Sequence, residues 1–71
     1  MNALTPIDRY QLEIERDEAK AQREWSLSAS AMRKGERKAA KSHKESAEAW
    51  ERHAARHAAI LAKMLTEETR A

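Results

Sequence analysis

Two histidines, His53 and His57, lie four residues apart, and this spacing places them on one face of a helix. Such a pair can supply two ligands of a zinc site, and carboxylates can supply the others. Antiparallel helix packing brings Glu18 opposite His53, so His53, His57 and Glu18 are the candidate ligands. However, the Glu-x-x-His and His-Glu-x-x-His patterns of di-iron bundles and metalloproteases are absent. We therefore predict no metal and no cofactor, and interpret His57 as an interhelical hydrogen-bond partner of Asp17 or Glu18.

A block of positive charge occupies residues 33–44, where six basic residues face one acid, Glu36, for a net charge of +5. The basic residues are Arg33, Lys34, Arg37, Lys38, Lys41 and Lys44. Such a block can bind a phosphate backbone or an acidic protein surface. It can equally be a solvated turn that keeps the chain soluble. No aromatic residue interleaves it, so base stacking is not indicated and any nucleic-acid contact would be independent of sequence.

The sequence offers no recognisable catalytic machinery. It has no cysteine, no glycine-rich phosphate loop, and no motif that sets a serine against a histidine and an aspartate. We predict that the protein is not an enzyme. Trp25 and Trp50 belong to residue types enriched at binding hot spots, but their periodic positions favour helix packing.

The elements that must position these residues are helices. In the second half of the chain, steps of three and four residues connect eight positions, the pattern of a helix that packs on another helix. They are Ala40, His43, Ala47, Trp50, Ala54, His57, Leu61 and Met64. Alanines recur along this stripe, so a partner backbone can come close.

The first half of the chain predicts a helix that begins with a Thr5 cap, Pro6 in the first turn and Asp8 near the positive end of the helix dipole. Gly35 follows two basic residues, which is typical of a helix end. We predict helix 1 over about 6–34, a hinge at about 35–41, and helix 2 to about residue 68. Helix 2 begins near residue 36 or, if the Ser42–Glu45 capping box is used, at 42.

The stripes of the two halves are symmetric about the Gly35–Glu36 bond, so that Trp50 meets Ala21 and Trp25 lies beside Ala47. This large-against-small pairing predicts an all-α, coiled-coil-like antiparallel hairpin. The alternative is a continuous helix that makes the same pairs between two antiparallel chains, since one glycine costs a helix only about 1 kcal/mol. The predicted packing residues are Ile7, Tyr10, Ile14, Ala21, Trp25, Met32, Ala40, Ala47, Trp50, Ala54, His57, Leu61 and Met64.

Length and composition indicate a single domain that needs a partner. A chain of 71 residues rarely builds a sufficient core, and 15 of its residues are alanine. A hairpin would also expose Leu12, Leu27, Ile60 and Leu65, so we expect a homodimer in the form of a four-helix bundle. No secretion signal or membrane span is evident, and we expect a cytoplasmic protein.

These features favour a non-enzymatic protein–protein interaction module that acts through its basic hinge and outer helix faces. Regulators, inhibitors and assembly adaptors, including those carried by phages, are proteins of this kind. The first alternative is a sequence-independent nucleic-acid-binding protein that uses the same basic hinge. The second is a purely structural oligomer.

Overall fold

The computed structural model describes residues 3–70, which form two antiparallel α-helices and the turn between them. Helix α1 spans Pro6–Arg33 and helix α2 spans Arg37–Arg70. The molecule measures 55 × 27 × 11 Å between Cα positions, so it is a long and flat hairpin with two broad faces. The predicted hairpin is confirmed, and the chain does not continue through Gly35 as one helix.

A complete capping box starts α1. The Asp8 backbone N–H donates to the Thr5 hydroxyl at 3.1 Å, and the Thr5 backbone N–H donates to the Asp8 carboxylate at 3.2 Å. Two backbone donors that would otherwise lack partners are thus satisfied. Pro6 follows in the first turn, where its missing N–H costs nothing.

The turn is a Schellman motif centred on Gly35, whose φ of 77° lies in the left-handed region. The Gly35 N–H donates to the Met32 carbonyl at 3.0 Å, and the Glu36 N–H donates to the Ala31 carbonyl at 2.8 Å. The chain reverses so tightly that α2 begins at Arg37. Ser42 therefore lies inside α2, and the later of the two predicted helix starts is wrong.

A continuous seam of alternating three- and four-residue steps joins the helices, and each of its positions is buried or half-buried. In α1 the seam comprises Ile7, Tyr10, Ile14, Asp17, Ala21, Glu24, Ser28 and Ala31. In α2 it comprises Ala40, His43, Ala47, Trp50, Ala54, His57, Leu61 and Met64, as the periodicity predicts. The interhelical contacts fall within about one helical turn of the symmetric pairing.

Two predicted packing residues of α1 require correction. Met32 is 60% exposed, because the strict seam step from Ser28 leads to Ala31, and Met32 is rotated about 100° further round the helix. Trp25 is half-buried beside the seam, where Glu24 holds the central position. The polar residue Asp17 does not interrupt the seam but belongs to it, with an exposure of only 3%.

Small side chains make up the buried core of the hairpin. The buried hydrophobic residues are Ala21, Ala31, Ala40, Ala47 and Ala54. Several larger apolar side chains stay exposed, namely Leu4, Leu12, Leu27, Met32, Ile60 and Leu65. The alanine core permits close approach of the helices but removes little large apolar surface from water.

Candidate interaction surfaces

Three polar residues of the α1 seam each form a hydrogen bond with a residue of α2. The Asp17 carboxylate lies 2.8 Å from His57 Nδ1, and the Glu24 carboxylate lies 2.6 Å from His43 Nδ1. The Ser28 hydroxyl donates to the Ala40 carbonyl at 2.8 Å. No buried side-chain polar atom of residues 3–70 lacks a partner. The predicted Asp17–His57 contact is present, whereas nothing in the periodicity of apolar residues pointed to Glu24.

The three candidate metal ligands are not gathered at one place. The His53 ring stacks against Trp50 at a centroid distance of 5.5 Å and against His57 at 6.2 Å. Glu18 instead lines a groove with Glu51. In the antiparallel register, Glu18 and His53 follow opposite sides of the seam. Residues 3–70 contain no group of three or more His, Cys, Asp or Glu side chains that could hold a metal ion.

Trp50 belongs to the seam and Trp25 lies beside it, and each tryptophan makes a polar or cation–π contact across the helices. The Trp25 indole N–H donates to the Glu51 carboxylate at 3.1 Å. The Lys20 ammonium lies 4.3 Å from the centroid of the Trp50 ring, a cation–π contact. Both contacts connect α1 to α2, so the tryptophans act in packing, and each leaves part of its ring in contact with solvent.

A groove at the turn end of the hairpin, the tip groove, contains half of the predicted basic residues. It encloses about 490 Å³ and is lined by Ser28, Met32, Arg37, Ala40, Lys41 and Lys44. No carboxylate is among these lining residues. The other three basic residues of the block, Arg33, Lys34 and Lys38, are exposed but do not line the groove.

A second groove, the alanine groove, follows the same broad face toward the middle of the hairpin. It encloses about 500 Å³ and is lined by Ile14, Glu18, Ala19, Ala21, Gln22, Glu51, Ala54, Ala55 and Ala58. Short side chains leave the helix backbones accessible there. A third groove of about 630 Å³, at the open end, is lined by Leu4, Pro6, Arg9, Tyr10, Glu13 and His57.

Comparison of the chain with protein-family models, with characterised proteins and with solved structures finds no match. Within residues 3–70, neither helix combines the length and the apolar character that crossing a membrane requires. The surfaces above therefore provide the basis for a functional proposal.

Proposed function

We propose that the protein is a non-enzymatic helical interaction module that binds an acidic protein segment in its tip groove. The observation that carries this proposal is the composition of the groove. Arg37, Lys41 and Lys44 line the groove together with Met32, which is 60% exposed. A flexible methionine at a surface is well suited to accept apolar groups of different shapes.

The apolar component of the groove favours a protein over a nucleic acid. A phosphate backbone would use the three cations but gain nothing from Met32. An acidic segment with an apolar anchor residue would use both, because the anchor covers the methionine while its carboxylates meet the cations. Nucleic-acid binding at the tip remains the alternative function.

We further propose that two hairpins pair into a four-helix bundle through the alanine groove. The hairpin alone buries mainly alanine, while Leu65, on the same side of the seam as the alanine groove, is 43% exposed. A second copy would cover Ile14 and the exposed alanines of α2, and small residues there would let the helices approach closely. A small domain that buries little apolar surface has a low free energy of unfolding, so dimerisation would add to its stability.

Fluorescence anisotropy with synthetic peptides tests the tip groove. The probes are an acidic peptide with leucine anchors, the same peptide with serine in place of leucine, and a nucleic-acid duplex. The variants are Met32→Ser and Lys41→Ala with Lys44→Ala. The control, Lys34→Ala with Lys38→Ala, removes two exposed lysines outside the groove.

We expect the leucine peptide to bind at least about fivefold more weakly to Met32→Ser, since roughly 1 kcal/mol of apolar contact is lost. The lysine variant should weaken binding further, and the control should not. If removing the leucines and Met32 changes nothing while the duplex binds and loses affinity in the Lys41 and Lys44 variant, the nucleic-acid alternative replaces the proposal. If none of the probes binds, the structural-oligomer alternative is favoured.

A further inference from the structure

One broad face of the hairpin carries two rows of positive charge. In α1, basic residues recur every seven positions at Arg9, Arg16 and Arg23. This spacing keeps them on one side of the seam. In α2, Arg56 and Lys63 repeat the pattern. Because the helices are antiparallel and the seam positions are known, these two rows lie on the same broad face, with Lys20 between them.

Contacts in the structure support this placement. Lys20 and His53 both pack on the Trp50 ring, and Arg9 lines the open-end groove with His57. On the other side of the seam, Glu18 and Glu51 line the alanine groove. The net charge of only +2 therefore conceals a local excess of positive charge on the face that carries Arg9, Lys20 and Arg56.

We propose that this cationic face (Arg9, Arg16, Lys20, Arg23, Arg56 and Lys63) binds the phosphodiester backbone of a nucleic-acid duplex. All six side chains are exposed, and two acidic residues, Glu13 and Glu67, lie on the same face. No lysine or arginine side chain within residues 3–70 forms an ion pair. The six charges thus repel one another with only partial compensation from the face itself, and a polyanion relieves that repulsion.

The extent and flatness of the face favour a duplex over other polyanions. The row from Arg9 to Arg23 covers fourteen residues, or about 21 Å of helix. Regularly spaced phosphates can neutralise such a row along its whole length. A membrane surface would instead favour a contiguous apolar stripe, whereas the exposed Leu27 and Ile60 lie apart on different helices. Contacts to the backbone alone imply binding that is independent of base sequence.

The test is a salt titration of duplex binding with matched variants. The probes are DNA and RNA duplexes of about 25 base pairs, which at about 3.4 Å per base pair exceed the 55 Å length of the hairpin. The face variant is Arg16→Ala with Arg56→Ala. The edge control is Arg33→Ala with Arg52→Ala, which removes two exposed arginines outside the cationic face. A tip variant, Lys41→Ala with Lys44→Ala, separates this face from the tip groove.

The face variant should bind more than about tenfold more weakly at about 0.1 M salt. Its plot of log K against log salt concentration should be less steep by about 2, while the edge and tip variants keep the wild-type slope. Binding to both DNA and RNA, with circular dichroism showing unchanged helix content, completes the expected result.

Three results would overturn the inference. The first is an absence of duplex binding at about 50 mM salt. The second is loss of binding in the tip or edge variant with retention in the face variant. The third is equal competition by polyglutamate or by anionic phospholipid vesicles, which would make the face a protein- or membrane-binding surface.

Discussion

At the scale of single residues, the buried carboxylate of Asp17 is the group whose burial depends most on a specific hydrogen-bond partner. It is 3% exposed and accepts a hydrogen bond from His57 Nδ1. A buried polar group without a partner is costly, so the two side chains depend on each other. The neighbouring Tyr10 ring packs 5.7 Å from the His57 ring and holds it in place.

We expect His57→Ala to lower the free energy of unfolding by about 2 kcal/mol, because Asp17 stays buried without its donor. His57→Asn should cost less than half as much, since its amide N–H can reach the position of Nδ1. Urea denaturation of both variants measures these differences. In the double variant with Asp17→Ala, the loss should be smaller than the sum of the single losses. If the losses of the two single variants add up to that of the double variant, the interaction between Asp17 and His57 contributes nothing to stability.

The core alanines permit a second prediction at this scale. Ala47 is fully buried, so Ala47→Leu should overpack the seam and cost about 1–3 kcal/mol of stability. Ala59→Leu adds the same side chain at an exposed position of α2 and should change stability by less than about 0.5 kcal/mol. Thermal unfolding followed by circular dichroism compares the two. Equal melting temperatures of the two variants would contradict the tight packing of Ala47 in the seam.

At the scale of elements, the connection between α1 and α2 depends on one backbone conformation. Gly35 adopts φ 77°, and no atom lies within 4 Å of where a Cβ would stand. A side chain at this position would therefore be unfavourable because of the backbone conformation, and not because it would clash with neighbouring atoms. The Schellman hydrogen bonds to Ala31 and Met32 require this conformation.

Gly35→Ala should destabilise the hairpin by about 1–2 kcal/mol, the cost of a left-handed conformation for an L-residue. Gly35→Asn should cost less, because asparagine tolerates that region better. Denaturation measures the change, and light scattering checks the mass at the same time. If Gly35→Ala keeps its helix content but small-angle X-ray scattering shows a dimer about 95 Å long, the chain has straightened into the continuous-helix dimer, and Gly35 alone maintains the hairpin.

At the scale of the whole molecule, the proposed dimer accounts for a hairpin whose larger apolar residues are mostly half-buried or exposed. Ala58 lines the alanine groove, whereas the adjacent Ala59 does not. Ala58→Glu should abolish dimerisation by placing a charge in the interface, and Ala59→Glu should leave it intact. The two variants have identical composition and charge. Sedimentation equilibrium at several concentrations measures the mass, and an equal effect of both substitutions would reject this interface.

The dimer and the cationic face are compatible because they use opposite broad faces. Pairing through the alanine groove would leave both cationic faces directed outward. Such an assembly could contact two duplexes or two parts of one. This arrangement predicts that Ala58→Glu weakens duplex binding by loss of bivalency while a single hairpin still binds.

Local periodicity determined much of this fold because coiled-coil packing follows directly from residue spacing. The α2 seam, the Thr5 cap and the reversal at Gly35 could all be predicted from the sequence. The α1 seam could not be predicted fully, since Glu24 is polar and apolar periodicity favours its neighbour Trp25. Assigning every charged residue to a heptad position would have placed Glu24 in the seam and would have revealed the cationic face.

The sequence by itself determined that two amphipathic helices meet along alanine-rich stripes, because helix formation and its hydrophobic face are local properties. Only the tertiary structure decided that Asp17 and Glu24 are internal, since a carboxylate tolerates burial only where a donor such as His57 or His43 stands opposite. It also decided that Met32 faces solvent beside Lys41 and Lys44. That placement depends on the rotation of α1 against α2, which a tight turn and close alanine contacts establish together.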